Sequence, residues 1–413
     1  RQEVLPPGAS SIGLRRHDLG MLAAGARLAE AQRLAAEEAG RPFDLARAPL
    51  IRAVLLRLTA DDHLLVITMH HIIADGWSIA MLMREVALLW QGETLSDPVL
   101  DYVDYALWQQ GPGAPVEDEA LRWWQVALAD LPPLSTFPAD HPRALLPAGL
   151  GGAVDLQVAP PVMAGLRQLA IRHGTTLFTL LLAAQSALLA RYARQDDICI
   201  GSPVANRARA EVEGIFGFFV NMVALRSQPR ADLPLGAHIQ AMRETVEAAF
   251  AHQSAPFERV VEAAGAARRL DHAPLFQTVL VLQNAAGQSL HLPGLDLDPF
   301  ALPAAPPKFD LTVTAVELAD GGLSLNLGYD AGLFRPDTVG RIGRNLVALL
   351  GAMATADPAT PLGDLSFLGL EEETLLTVTL ARGARIAQPA DPVARIAALA
   401  AAAPQDQAVE CGD

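Results

Sequence analysis

Residues 132–152, PPLSTFPADHPRALLPAGLGG, divide the chain in two. Proline and glycine crowd this stretch and no hydrophobic period runs through it, so neither a helix nor a strand continues across it. It reads as the crossing between two lobes. A chain of 413 residues exceeds one typical domain, which fits two sizeable lobes or more. With 51% hydrophobic and 19% charged residues there is enough apolar material for a large core, and global disorder is excluded.

On the N-terminal side, Leu22 to Glu38 reads as a solvent-facing helix, and DDHLLVITMHHII, residues 61–73, reads as a buried strand closed by a tight turn at Ala74-Asp75-Gly76. From Ser78 to Trp90 the spacing is helical, with Ile79, Leu82, Met83, Val86 and Leu89/Trp90 on one face; Trp77 and this face are expected to be core. Helices are also expected at 101–110 and 117–130. On the C-terminal side, AVDLQV, DDICIGSPVA, GFFVNMVALRSQ, LFQTVLVLQN, FDLTVTAVEL and GLSLNLGYD read as strands, GFFV among them as strand core. Pro160 to His173, TTLFTLLLAAQSALLARYAR, 236–253, 256–264 and Arg335 to Ala354 read as helices. After Asp364 the text changes again and reads as a linker followed by the first helix and strand of another unit. The expected organisation is therefore an N-terminal lobe at 1–131, a crossing at 132–152, a C-terminal lobe at 153–370 and a further segment at 371–413.

Composition narrows the function. The formal net charge of −15 argues against a partner with a phosphate backbone, because such proteins concentrate lysine and arginine. Two cysteines, Cys199 and Cys411, allow neither a disulfide framework nor a four-ligand zinc site, so no metal is expected, and a reducing, cytoplasmic setting fits best. The longest apolar run, Leu177 to Leu189, is broken by Thr179, Gln185 and Ser186 and falls short of the roughly 20 residues a membrane span needs, so no membrane partner is expected. The chain opens on Arg1 without a leader and reads as a segment of something longer.

The densest chemistry lies in His70-His71-Ile72-Ile73-Ala74-Asp75-Gly76-Trp77. Adjacent residues of a strand point to opposite faces, so one histidine is expected to face a cleft and the other to face packing. Imidazole is the side chain best suited to proton transfer near neutral pH. Asp75 can orient that imidazole or tie the turn down through an arginine. No serine or cysteine occupies a nucleophile elbow, so direct transfer assisted by a histidine is more natural than a covalent enzyme intermediate. The plainer reading is a packed histidine beside an ordinary Asp-Gly turn, and the remaining histidines, which stand alone, are read that way.

MHHIIADGWS carries the pattern HHxxxDG in full, and with it the chain resembles the condensation domains of non-ribosomal peptide synthetases. The resemblance continues in order through YVDYALWQ (Tyr102 to Gln109), IGSPVANRARAEVEGIFGFFVNMVALR (Ile200 to Arg226), HQSAPFERVV (His252 to Val261) and RRLDHAPLFQTVLVLQN (Arg268 to Asn284). Five segments in order over roughly 215 residues are far more specific than one short pattern. The family's first two motifs are not found, which corresponds to about 70 residues of such a two-lobed unit. Ser254 stands where relatives often carry an acidic residue. The tail from Glu371 resembles a linker and the opening of an adenylation domain, ending in VECGD.

The resemblance implies an α/β, chloramphenicol-acetyltransferase-like fold: a V-shaped pseudo-dimer of two lobes with the active site between them. It implies an amide-forming acyltransferase that binds no cofactor of its own. Its substrates are a donor acyl or peptidyl thioester and an acceptor aminoacyl thioester, each on the phosphopantetheine arm of a carrier protein. The implied partners are the upstream and downstream carrier domains and an adjoining adenylation domain. Catalysis maps to His71, as general base or as the group that positions the amine, with a lean towards positioning and proton shuttling; His70 supports the loop. Asp75 is implied to be structural, with Arg207 as its candidate partner. Gly76 lets the backbone approach the substrate, and Asn221 is a wall amide or a strand-end cap. The alternatives are an epimerising or ester-forming relative on the same fold, or an inactive module that recruits a partner.

Overall fold

A computed structural model describes residues 3–6, 8–143, 149–267, 269–283, 292–298, 300, 307–380 and 391–405. Arg268, Asn284, His291, residues 144–148 of the crossing and the Cys411-containing end therefore lie outside the described residues. The chain divides into two units, Arg1–Ser366 and Phe367–Asp413.

The first unit opens with β1 (Leu14–Asp18), α1 (Ala24–Gly40), β2 (Ile51–Arg57) and β3 (His63–Met69). These strands form one sheet in the order β1-β2-β3, with β1 parallel to β2 and β2 antiparallel to β3. Sequence reading misses β1: LRRHD is charged and exposed throughout, and only its pairing with β2 makes it a strand. Ala31 and Ala35 of α1 close on Val54, Leu56 and Val66 of the sheet, and this cluster is the local core. The strand expected to be buried, β3, is instead exposed at alternate positions, including Leu65 and Ile67, because α1 covers only one face.

Three helices follow: α2 (Gly76–Trp90), α3 (Tyr102–Gln110) and α4 (Ala114–Ala127). Asp75 caps α2 by accepting from Ser78 N, and Asp101 caps α3 in a capping box with Asp104. The apolar face expected to be core on α2 is not buried. Among the described residues only Ser78 and Met81 of the helix are buried, while Trp77, Ile79, Val86, Leu89 and Trp90 are exposed. The small core of the first sheet is built with α1 instead.

The rest of the unit comprises β4 (Gly151–Val158), α5 (Pro160–Arg172), α6 (Leu177–Ala193), β5 (Ile198–Val204), α7 (Ala210–Glu213), β6 (Asn221–Ser227), α8 (Leu235–Ala251), α9 (Phe257–Ala263), β7 (Thr278–Gln283), β8 (Leu311–Glu317), β9 (Leu323–Asp330) and α10 (Pro336–Thr355). Six strands pair in the order β4-β9-β8-β7-β5-β6, parallel at β8/β7 and β7/β5 and antiparallel elsewhere. Helix α6 is the core of this part: every residue from Thr179 to Ala190 is buried. Its apolar run is broken for membrane spanning but suits a helix enclosed on all sides. Among the described residues no single helix is long and apolar enough to cross a membrane.

Segment 132–143 is tightly held. Ser135 N donates to Gln277 Oε1 at 2.8 Å, Phe137 is fully buried, and Asp140 accepts from Arg335 N and Thr338 Oγ1 at the start of α10. Helix α4 also binds the six-stranded part, through Trp124 Nε1 to His252 O at 2.9 Å and through Arg226, which donates to the carbonyls of Ala127 and Ala129. The unit is thus a two-lobed α/β structure whose sheets are linked by side chains as well as by the chain. The second unit holds α11 (Leu370–Thr374), a π-helical turn at Leu375–Leu380 and α12 (Pro392–Ala402).

Candidate active site

Strand β3 stops at Met69, so the histidine pair sits on the turn that follows rather than on the strand. Ile73 N bonds to His70 O and Ala74 N to His71 O, and this winding removes the strict alternation that would have sent the two rings to opposite sides. Both histidines border one cavity of about 1140 Å³, together with residues from both sheets' surroundings. The expected division, one histidine in a cleft and one in packing, does not hold: His70 lines the cavity while also meeting the Phe43 ring edge-on at 6.0 Å.

The turn fixes the imidazole of His71. Its Nδ1 lies 2.7 Å from the Ala74 carbonyl, which can only accept, so Nδ1 carries the hydrogen. Nε2 of the neutral ring then keeps its lone pair. The Phe218 ring packs edge-on against the imidazole at 5.0 Å and limits its rotation. His70 has the other arrangement: its Nδ1 accepts from Ile72 N at 3.1 Å, a bond internal to the turn.

Asp75 is 3% exposed and its carboxylate is fully engaged. Oδ1 accepts from Ser78 N at 2.9 Å and Oδ2 from Phe219 N at 3.0 Å. The Arg207 guanidinium lies 3.4 Å from Oδ1. This is a looser contact than the two amide bonds, so the amides fix the carboxylate and Arg207 neutralises it. Asp75 does not orient the His71 ring, whose Nδ1 goes to the Ala74 carbonyl instead. Arg207 also donates to the carbonyls of Val212 and Ile215 at 2.6 and 2.7 Å and lies 3.9 Å from the centre of the Phe219 ring. Burial pulls its basicity down, opposed by the Asp75 carboxylate.

Segment 217–220, expected as strand core, is a loop. Its backbone groups are taken by side chains of α2 and α3 and so are not available to a ladder. Ser78 Oγ donates to Gly217 O at 2.8 Å and accepts from Gly217 N at 3.0 Å, and Tyr102 Oη donates to Phe218 O at 2.8 Å. Burial pushes the Tyr102 and Tyr105 hydroxyls up, with the Asp75 charge adding to the effect on Tyr102, so both stay neutral donors. Phe218, Phe219 and Val220 line the cavity as part of this loop.

Trp77 is 45% exposed rather than core, and its indole donates to Glu213 O at 2.9 Å, clamping α2 to α7. Gly76 begins α2 without a positive φ and does not line the cavity; a Cβ added there would meet nothing within 4 Å. Asn221 borders the cavity, but its amide is occupied: Nδ2 donates to the carbonyls of Gln253 and Ala255 at 2.8 and 2.7 Å, and Oδ1 accepts from Phe257 N at 3.1 Å. It ties the HQSAPFERVV segment to β6.

The structure thus brings His70, His71, Asp75, Arg207 and Asn221 to one region, the histidines and Asn221 on the cavity and the Asp75–Arg207 pair behind it. Sequence reading misses Ser78, Tyr102 and Phe218. Ser78 lies two residues past Gly76, at the end of the first matching segment, and Tyr102 lies in the second, so both are within view; only the loop's position across the chain shows what they bind. Among the described residues no group of three or more His, Cys, Asp or Glu could hold a metal ion.

The family description "Condensation domain" matches residues 8–377. Chondramide synthase of Chondromyces crocatus is 38% identical over 385 residues, which cover 91% of this chain and 10% of that protein. Malpinin synthetase of Mortierella alpina is 38% identical over 386 residues, 92% of this chain and 5% of its own length. This chain spans about a tenth or less of the length of these curated relatives. The crystal structure of the X-domain from teicoplanin biosynthesis superposes with a TM-score of 0.78 at 25% identity, covering 87% of this chain and 82% of that one. The four-domain non-ribosomal peptide synthetase holo-AB3403 has the same fold, with a TM-score of 0.78 at 24% identity, over 88% of this chain and 28% of that one. With its two-lobed α/β architecture and a family match over most of its length, the chain belongs to the condensation-domain family.

Proposed function

We propose that this condensation domain forms a peptide bond between two thioesters presented on the phosphopantetheine arms of carrier proteins. The observation that carries the reading is the His71 ring: Nδ1 is pinned by the Ala74 carbonyl, which leaves Nε2 as an acceptor beside a cavity of about 1140 Å³. The amine of the acceptor aminoacyl thioester attacks the donor carbonyl carbon. A C–N bond forms, the C–S bond breaks, and the donor arm leaves as a thiol. The nitrogen loses one proton, and His71 Nε2 holds the amine through that proton and passes it towards the departing sulfur. An amine is already an able nucleophile for a thioester, so positioning and proton transfer are what the imidazole supplies.

Asp75 and Arg207 shape the loop behind the ring, and His70 stabilises the turn. Adjoining carrier and adenylation domains supply the thioesters. The buried free thiol of Cys199 suits a reducing compartment, and we place the reaction in the cytoplasm.

The test is a coupling assay with the full-length protein and two separately loaded carrier proteins. Wild type is expected to give the amide-linked thioester on the acceptor carrier. His71→Ala is expected to lose about 10²–10⁴-fold in rate, the usual contribution of a positioned proton-transfer group, with an unchanged melting temperature. Ester product from a hydroxyl acceptor with no amide from an amine would favour the ester-forming alternative. Inversion of the donor's α-carbon without coupling would favour epimerisation.

A further inference from the structure

Of the 31 basic side chains in this protein, 30 are arginines; the single lysine is Lys308. It borders the same cavity as His71. No hydrogen bond or ion pair joins Lys308 to any other described residue. The cavity's own carboxylates leave it free: Asp155 accepts from Asn326 Nδ2 at 2.8 Å, and Glu258 makes no ion pair among the described residues. Arg207, behind the cavity, behaves differently, since its charge is paired with Asp75.

The backbone that presents Lys308 is held from one side. Phe309 packs its ring at 5.6 Å from that of Phe276, which is fully buried. Asp310, 7% exposed, accepts from Arg143 Nη1 at 2.9 Å and from Thr136 Oγ1 at 2.9 Å, and its carbonyl accepts from Asp330 N at 3.1 Å. An ammonium is a compact point charge with three rotatable donors, suited to a single anionic oxygen rather than to the bidentate pairing that arginine prefers.

We propose that Lys308 is an anion-recognition residue of the substrate cavity, taking an anionic oxygen carried by the thioester substrate. The shared chemistry is an oxyanion. Its source is either the phosphate of the tethering arm or a carboxylate on the acyl or aminoacyl group. The inference rests on the proposal that tethered thioesters occupy this cavity, and it identifies which chemical feature of them is recognised.

Binding to the full-length protein is measured by titration calorimetry, so the result does not depend on amide formation. The probes are glutaminyl-4′-phosphopantetheine, glutaminyl-pantetheine and glutamyl-pantetheine, each with wild type, Lys308→Met and Lys308→Arg. If the phosphate is recognised, Lys308→Met weakens the first probe about 10- to 100-fold, the range for a hydrogen bond to a charged group, and leaves the second unchanged. If a substrate carboxylate is recognised, the same loss appears for the glutamyl probe and not for its glutaminyl counterpart. In either case Lys308→Arg restores most of the affinity, because the charge is kept, and the melting temperature of all three proteins is the same. Equal affinities of wild type and Lys308→Met for all three probes overturn the proposal. No measurable binding of any probe to wild type overturns it too. Failure of amide synthesis in the coupling assay, with the calorimetric differences intact, counts against the reaction and not against Lys308.

Discussion

Asp75 and Arg207 lie 132 residues apart in the chain, yet the carboxylate of one and the guanidinium of the other are 3.4 Å apart, with side chains only 4% and 2% exposed. The carboxylate also receives the amides of Ser78 and Phe219, so one side chain caps α2 and holds the cavity loop against it. Removing it leaves a buried guanidinium and two amides without their acceptor. Asp75→Ala is therefore expected to cost about 3–5 kcal/mol, the range for breaking one partner of a buried pair. Urea denaturation measures this, and turnover per folded molecule is expected to fall less than the yield of soluble protein. Unchanged stability with abolished turnover would assign Asp75 to the chemistry instead. Adding Arg207→Met to Asp75→Ala is expected to recover part of the loss, because the unpaired charge is gone.

Gly217 sits where this loop crosses Tyr102. A Cβ built there would lie 2.2 Å from Tyr102 Cδ2, closer than any real contact. The tyrosine cannot simply swing away, since its hydroxyl is bonded to Phe218 O and its ring meets Phe219 edge-on at 5.1 Å. Gly217→Ala is expected to destabilise by about 1–3 kcal/mol, as overpacking does in a tight site. The informative measurement is a double-mutant cycle with Tyr102→Ala. The two losses should be clearly less than additive, because the second substitution removes the obstacle; additive losses would show that the clash is relieved some other way.

These contacts mark how far the sequence can be read. Helix α6 and the six strands of the second sheet are legible because their hydrophobic periods are strong and α6 is enclosed along its length. The histidine turn is legible because its residue types carry chemistry. What cannot be read is decided by tertiary partners. LRRHD becomes β1 only through pairing with β2, and GFFV is kept out of β6 by Asp75, Ser78 and Tyr102, which claim its backbone groups. The apolar stripe of α2 has the pattern of a core face, but among the described residues little packs over it. Strand geometry assigns the two histidines opposite faces, but the strand ends at Met69, before either of them. Lys308 has no motif around it that spacing or periodicity would single out; only its place on the cavity does so.

His238 is 1% exposed in the C-terminal lobe, far in sequence from the site, and its Nε2 lies 3.1 Å from Ala183 O and 3.3 Å from Ser186 Oγ. Burial holds its basicity below the usual imidazole value, opposed in part by the Ala183 carbonyl. The folded state therefore keeps this ring neutral where the unfolded chain would already bind a proton. With more protons on the unfolded state, stability rises with pH: the contribution is complete above the ordinary value of 6.5 and drains away as the pH falls below it. One such group changes the unfolding free energy by at most about 1.4 kcal/mol per pH unit in that range. Urea midpoints measured from about pH 7.5 down to about pH 5.5 should fall more steeply for wild type than for His238→Gln, whose amide can still donate to Ala183 but does not titrate. Parallel pH profiles for the two proteins would mean that the proton taken up on acid unfolding goes elsewhere, and that the buried imidazole is not what makes this lobe acid-sensitive.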